Sequence, residues 1–160
     1  MVFMRNIAVF GFLALFLAGC AAPLSVEKLQ EFKPESKVVV FVNSTRYDTK
    51  LRVALAKKGF KVLKFSSNQS VVTEGKADEI ARSYNEAAAR YGITFYHFQV
   101  DRCIGNSSKL IDGVIEISDL QTNEVLMVIE KGGWTGPCAL DMRGDVFDGL
   151  AQALSENWSN

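Results

Sequence analysis

Residues 37–65, KVVVFVNSTRYDTKLRVALAKKGFKVLKF, decide the fold of this chain. Residues 37–43 form a β-branched and aromatic run, which is typical of a strand buried on both faces. Residues 47–58 place their apolar side chains on one helical face, and Gly59 follows as expected at the end of a helix. Residues 60–65 are a second apolar run. A strand, a helix and a strand joined by short turns predict a parallel β-α-β unit with a right-handed crossover.

The rest of the chain extends this unit. Apolar residues at helical spacing predict a second helix over 76–91 and a last helix over 142–157. Between them, 93–100 predicts a third strand, and 109–120 with 124–131 predicts a hairpin. The order is therefore β-α-β-α-β-β-β-α. We expect an α/β fold with a mixed five-stranded sheet and helices packed on it.

A short apolar segment lies near the start of the chain. Arg5 precedes the mostly apolar residues 7–18, and the small residue Gly19 follows them. A helix that spans ~30 Å of hydrocarbon needs roughly 20 residues, so this segment is too short for a permanent membrane span. Residues 1–19 therefore have the layout of a secretory signal peptide.

The segment ends in Leu17-Ala18-Gly19-Cys20, which resembles the lipobox of bacterial lipoproteins. The resemblance implies that Cys20 becomes the first mature residue and carries a diacylglycerol thioether and an N-acyl chain such as palmitate, which together anchor a protein stably. Ala21, where aspartate would favour inner-membrane retention, implies a periplasm-facing position on the outer membrane. An ordinary signal peptide followed by a chance cysteine is the alternative.

The exported chain is predicted to contain a linker and one domain. Residues 20–36 hold Pro23 and Pro34 and are interpreted as a lipidated tether, with a reach of about 50 Å at ~3.3 Å per residue. Residues 37–160 are long enough to form a single α/β domain with its own core. A short helix docked on the domain is an alternative for part of the tether, because of the spacing of Val26, Leu29 and Phe32.

The balance of charge limits the class of partner. The chain contains 18 Lys and Arg against 18 Asp and Glu, and loss of Arg5 with the signal peptide leaves a net charge of −1. This near-neutral balance argues against nucleic acid as a partner and against a polybasic membrane-binding surface. The membrane contact that we expect is the lipid anchor.

Lipidation of Cys20 would leave Cys103 and Cys138 as an even pair in an exported protein, where disulfides persist. The predicted topology supports their pairing. If the last three strands form a meander, the third and fifth strands are parallel, and the loops that follow them meet about 10 Å apart across the strand between. Two unpaired thiols or a redox role are the alternatives, although no Cys-x-x-Cys motif occurs.

Several stretches of the predicted domain resemble a group of bacterial envelope proteins. The group contains the TolB amino-terminal domain, the curli-secretion lipoproteins and the lipoprotein activators of penicillin-binding proteins. The resemblance implies the same α/β fold and an accessory role in the envelope. The chain departs from the group at Thr94, where an acidic residue is usual, and it lacks the curli-type pore-forming insertions. The matching stretches are VVVFVN (38–43), LAKKGFKV (55–62), AARYGITFY (88–96), DLQTNEV (119–125) and FDGLAQAL (147–154).

Motifs of catalysis are missing from the sequence. No nucleophile elbow, Walker loop or dinucleotide fingerprint occurs. The single histidine, His97, lies in a predicted strand and has no clustered cysteine or carboxylate in sequence, so a structural role outweighs a role as general base or metal ligand. We predict no catalytic residue, no metal and no cofactor.

Two loops are the candidate recognition surface. Loops 101–108 and 132–141 each contain one cysteine, so a disulfide would hold them together. Rigid loops that carry tryptophan and arginine suit protein or ligand recognition. The alternative is that the tryptophan covers the disulfide and the sheet edge. The residues proposed for this surface are Arg102, Asn106, Trp134 and Arg143.

These features favour a non-enzymatic outer-membrane lipoprotein that acts as an accessory or scaffold and binds another envelope protein or polymer. One alternative is a subunit of a homo-oligomeric secretion or export assembly. Another is a periplasmic small-ligand-binding protein or enzyme that uses loops 101–108 and 132–141.

Overall fold

A computed structural model describes residues 24–31, 33–63, 89–138 and 143–158. The predicted signal peptide and Cys20 lie outside these residues. So do most of the predicted second helix and the last residues of loop 132–141.

Eight elements form the described part of the chain. In chain order they are β1 (Leu24–Lys28), β2 (Val38–Phe41), α1 (Asp48–Lys57), β3 (Lys61–Leu63), β4 (Tyr91–Arg102), β5 (Lys109–Asp119), β6 (Glu124–Trp134) and α2 (Val146–Asn157).

The strands form one mixed sheet with the order β1-β6-β5-β4-β2-β3. Strand β2 is parallel to both β3 and β4, which confirms the predicted β-α-β unit. Strands β4, β5 and β6 form the predicted antiparallel meander, so β4 and β6 run in the same direction. The α/β class and the mixed sheet are therefore confirmed.

The sheet has six strands, where five were predicted. The additional strand is β1, which pairs antiparallel with β6 from Leu24 opposite Lys131 to Lys28 opposite Met127. These residues belong to the segment interpreted as a tether with a possible short helix. The outer edge of β6 offers backbone partners that a free linker would lack, and Val26 packs partly against the core. The segment is therefore extended and forms part of the sheet.

The main core lies between one face of the sheet and the two described helices. Helix α1 ends at Lys57, and Gly59 just beyond it has a φ of 84°, the left-handed conformation that commonly follows a helix end. At the other end of the core, Trp158 packs edge-on against Phe60 and Tyr91, with ring centroids 4.9 and 5.4 Å away. Its indole Nε1 donates to the carbonyl of Ser36 at 3.1 Å. This hydrogen bond connects the residue after the last helix to the segment just before β2.

Helix α2 begins at Val146, four residues later than the predicted start at 142. Asp145 is the N-cap, and its carboxylate accepts from the backbone N–H groups of Phe147 at 2.8 Å and Asp148 at 3.0 Å. Gly144 has a φ of 73°, outside the helical region. Gly133 of β6 lies so close to the backbone of Val146 that a Cβ atom would meet it at 3.0 Å. The helix start is therefore set by its contact with the sheet.

A buried carboxylate closes the β5–β6 hairpin. Asp119 is 4% exposed and accepts at 2.8 Å from Nε and Nη2 of Arg90 and from the backbone N–H of Gln121. Burial raises the pKa of Asp119, but the hydrogen bonds from Gln121 and Arg90 and the charge of Arg90 outweigh it and lower the pKa below its ordinary value.

This arrangement predicts a pH-dependent effect of Asp119→Asn. A carboxylate whose pKa is lowered on folding stabilises the native state above its unfolded pKa of ~3.9, and this stability is lost as pH falls through the folded pKa. The variant should be less stable than the parent at pH 7, and the difference in their free energies of unfolding should become smaller below about pH 4. Urea unfolding at both pH values measures this. Glu124→Gln, at an exposed position of the same hairpin, is the control. A difference in free energy of unfolding that does not change with pH would contradict the lowered pKa of Asp119.

Candidate functional site

The predicted cysteine pair is present. Cys103 follows β4, Cys138 follows β6, and their sulfur atoms are bonded at 2.09 Å with Cα atoms 5.8 Å apart. Both cysteines lie at the end of the sheet where β4 and β6 terminate, which we call the distal end. The parallel direction of these two strands brings the loops together, as the sequence predicted.

Trp134 covers the disulfide. It is 6% exposed and forms a small apolar cluster with Cys103 and Leu110, against which Cys138 packs. Among the described residues, its Nε1 is the one buried side-chain nitrogen or oxygen without a hydrogen-bond partner. Most of the indole is therefore unavailable to a partner, and its position fits the alternative in which Trp134 covers the disulfide.

The four residues of the candidate recognition surface do not form one site. Asn106 and Trp134 line an open cleft of about 510 Å³ together with Cys138. Asn106 is held there, because its Nδ2 donates to the carbonyl of Pro137 at 2.7 Å and its Oδ1 accepts from Ser108. Arg102, at the end of β4, and Arg143, before α2, are exposed and do not line this cleft.

His97 lies on the helix-covered face of β4, half-buried between aromatic rings. Its ring packs edge-on against Tyr47 at 4.9 Å and parallel to Phe95 at 5.8 Å. Burial, and then the charges of Arg46 and Lys109, lower its pKa below 6.5. No group of three His, Cys, Asp or Glu side chains that could hold a metal occurs in the described ranges. The surroundings of His97 are those of an aromatic packing residue.

Strand β4 is longer than its parallel neighbour. It has 12 residues, whereas β2 has four and pairs with β4 only as far as Ile93. Next along β4, the side chain of Asn43 makes the hydrogen bonds to Phe95 that a neighbouring strand would make. Its Nδ2 donates to the carbonyl of Phe95 at 2.7 Å, and its Oδ1 accepts from the N–H of Phe95 at 3.0 Å. Beyond this point, no strand of the described chain pairs with β4 on the β2 side.

The unpaired part of β4 is a backbone edge. The backbone N–H and C=O groups of alternate residues in a strand point to the same side. Those of Ile93 and Phe95 point away from β5, so those of His97 and Gln99 also point away from β5. On the other side, β5 pairs with β4 along its length, with a register shift between Gln99 and Asp101. Residues 96–102 therefore present an exposed strand edge, a feature that can accept a strand from another chain.

The face of this part of β4 that lies away from the helices carries apolar side chains in solvent. We call four exposed residues the apolar strip: Tyr96 (44% exposed), Phe98 (64%) and Val100 (57%) of β4, and Ile104 (89%) in the loop that follows β4. The sequence analysis missed this strip. Residues 93–100 mix aromatic and aliphatic residues with Thr94, His97 and Gln99, a pattern that predicts a strand but not which of its faces is covered. The predicted first and third strands, 37–43 and 93–100, are nearly equal in length, so the sequence gives no signal that part of the third strand extends beyond its neighbour.

Comparisons with known proteins address the fold. No family model matches the chain, and no curated protein matches it. Two crystal forms of the PelC dodecamer from Paraburkholderia phytofirmans are similar in structure, with TM-scores of 0.54 and 0.53 and identities of 16% and 17%. Each similarity covers 87% of this chain and 99% of the PelC chain. The likeness shows a shared fold.

A weaker similarity is found to TolB from Acinetobacter baumannii. The TM-score is 0.35 at 15% identity, over 84% of this chain and 31% of TolB. A PDZ domain protein from Parabacteroides distasonis gives 0.36 at 13% identity, over 83% of this chain and 33% of that protein. These values support no argument about function. In the described part of the chain, no helix is long and apolar enough to cross a membrane.

The disulfide predicts a measurable contribution to stability. The cysteines are 35 residues apart, and the loop-entropy model assigns such a closure roughly 3–4 kcal/mol. Cys103→Ser with Cys138→Ser should lower the free energy of unfolding by about this amount in urea titrations. Parent protein in reductant should match the double variant, and reductant should not affect the double variant. Two alkylatable thiols in parent protein purified from the periplasm would contradict the pairing.

The surroundings of His97 predict its titration. Its ring should titrate below pH 6.5, because burial and two cations disfavour the imidazolium. Arg46→Gln removes one of these charges and should raise the midpoint. Chemical shifts of the ring protons followed by NMR measure both values. A midpoint above 6.5 in the parent would show that an anionic partner stabilises the charged ring.

Proposed function

We propose that the protein is a non-enzymatic lipoprotein of the outer membrane, anchored by lipid on Cys20 and facing the periplasm. It acts as a scaffold that binds another envelope protein through the distal half of β4. The lipobox-like stretch Leu17-Ala18-Gly19-Cys20 supports the anchor and its location. The exposed edge of residues 96–102 is the single observation that supports the binding mode.

An exposed edge of this kind favours association. Unpaired backbone N–H and C=O groups of a strand bind an added strand by main-chain hydrogen bonds. Proteins usually protect such edges with short strands, prolines, lysines or a covering element. Among residues 96–102 the exposed stretch carries no proline or lysine, its register shift lies between Gln99 and Asp101, and Asn43 occupies only the adjoining position at Phe95. A partner strand beside His97 and Gln99 would complete the ladder.

The alternatives based on catalysis or small ligands have less support. Trp134 is largely buried, Arg102 and Arg143 do not line the cleft, and Asn106 is engaged with Pro137. His97 is packed between aromatic rings. Trp134, Asn106 and His97 are thus engaged in packing or hydrogen bonds within the chain, whereas the β4 edge has backbone groups without a partner strand in the described residues.

A homo-oligomeric subunit of a secretion or export assembly is the second candidate. The observation that favours it is the fold likeness to the chain of the PelC dodecamer. The strand order agrees, since the sheet has unlike edges: β1 on one side, and β3 with the distal half of β4 on the other. Contacts between unlike edges are head-to-tail, and such contacts form rings when the rotation closes. In this case the envelope partner is another copy of the chain.

The proposal predicts the effect of a proline at the edge. Gln99→Pro removes an N–H that faces away from β5, so the fold should persist while strand addition is weakened about tenfold or more. Gln99→Thr keeps the N–H and a strand-compatible side chain, and is the matched control. Native mass measurement and crosslinking of the chain extracted from membranes report the association, and thermal unfolding confirms that both variants fold.

The outcomes separate the candidates. Loss of a self-complex in Gln99→Pro but not in Gln99→Thr supports the oligomer, and the same pattern for a complex with a second protein supports the scaffold. A complex unchanged by Gln99→Pro contradicts the edge as the binding site. A monomer that saturably binds a small ligand overturns both.

A further inference from the structure

The route of the chain into the sheet brings the anchor close to the domain. Strand β1 is antiparallel to β6, so its first residue, Leu24, lies at the end of β1 nearer the distal end, where β6 terminates. Four residue steps separate Cys20 from Leu24, which at ~3.3–3.6 Å each bridge about 14 Å at most. Without β1, the tether predicted from residues 20–36 would have reached about 50 Å. Pairing of β1 removes most of this freedom.

The apolar strip lies within the same range. In the sheet register, Leu24 of β1 lies opposite Lys131 of β6, which lies opposite Gly113 of β5. Gly113 in turn lies opposite His97 of β4. Three strand spacings of ~4.8 Å place β4 about 14 Å to the side of β1. Phe98 and Val100 follow His97 toward the distal end, at ~3.3 Å per residue. Leu24, which follows the anchor by four residues, and the strip therefore lie toward the same end of the sheet.

We propose that the apolar strip rests on the phospholipid surface to which Cys20 is anchored. This inference depends on the lipidation of Cys20 that the proposed function includes. A lipid on Cys20 holds that residue at the headgroup level, so Leu24 lies no more than about 14 Å from the bilayer surface. An anchor this short cannot hold the distal end far from the bilayer.

The chemistry of the distal end suits a headgroup region. Ile104 is 89% exposed and Phe98 is 64% exposed, and shallow insertion would remove both from water. Arg102 and Lys109 pair across β4 and β5 at the same end, where their long side chains can reach lipid phosphates. The backbone edge of β4 lies in the plane of the sheet and stays available to a protein partner.

The test uses the full lipidated chain in vesicles of phosphatidylethanolamine and phosphatidylglycerol, with and without a dibrominated phosphatidylcholine. Ile104→Trp places a fluorescent side chain on the strip, and Val53→Trp places one at a 52% exposed position of α1, on the helix-covered face. Fluorescence is compared with that of the parent, which contains Trp134 and Trp158. Brominated lipid should quench the added emission of Ile104→Trp about twofold and leave that of Val53→Trp nearly unchanged.

Two results would overturn the proposal. If both variants float with vesicles and intact mass confirms lipid on Cys20, equal quenching at positions 104 and 53 rules out this orientation while the anchor stands. Protection of position 104 from both brominated lipid and aqueous iodide would show that protein covers the strip. This result would also rule out contact of the strip with the bilayer. A chain without lipid that fails to float overturns the orientation together with the proposed anchoring.

Discussion

The difference in length between β2 and β4 is the constraint on which the rest of the structure depends. Their parallel pairing joins the β-α-β unit to the antiparallel meander and thereby closes the core. It ends at Ile93, whereas β4 continues to Arg102. The proximal half of β4 is consequently covered on both edges. The distal half keeps only β5, and backbone groups that the core does not satisfy are left to solvent or a partner.

Two local features stabilise the distal half of β4, which extends beyond β2 and is called the overhang below. Asn43 uses both its donor and its acceptor to satisfy Phe95, which ends the parallel pairing without a buried unpaired amide. At the tip, the disulfide joins the loops after β4 and β6, and Trp134 and Leu110 enclose it. The overhang is therefore a rigid platform, and a rigid edge loses less entropy on binding than a flexible one.

The same overhang carries the features that the proposed roles require, on different atoms. The edge at His97 and Gln99 consists of backbone groups in the plane of the sheet, while Phe98 and Val100 project from its open face. Strand β1 adds the third feature, because it brings the start of the domain to within a few residues of Cys20. The proposed contacts with a partner, the membrane and the anchor would thus all involve one end of one sheet.

The sequence by itself determined the order of the described elements from β2 onward, but it did not predict β1. Period-2 and period-3.6 patterns are local, so the strand 38–41, the helix before Gly59 and the final meander could be predicted from them. The direction of the strands follows from that order, and this is why the pairing of Cys103 with Cys138 was predictable. The start of α2 was misplaced at 142, since Asp141, Asp145 and Asp148 are all plausible early-turn residues in sequence. Only the contact of Gly133 with Val146 selects Asp145 as the cap.

Tertiary structure alone decided what lies at the edges. Residues 24–28 have a weak local pattern, and they become a strand because β6 offers an unpaired edge. The sequence of 93–100 predicts a strand but not where its neighbour ends, and the early end of β2 leaves the second half of this strand unpaired on one edge. Trp134 resembled a recognition residue until its packing on the disulfide was visible. Pairing and burial depend on residues far apart in the chain, so the local pattern cannot specify them.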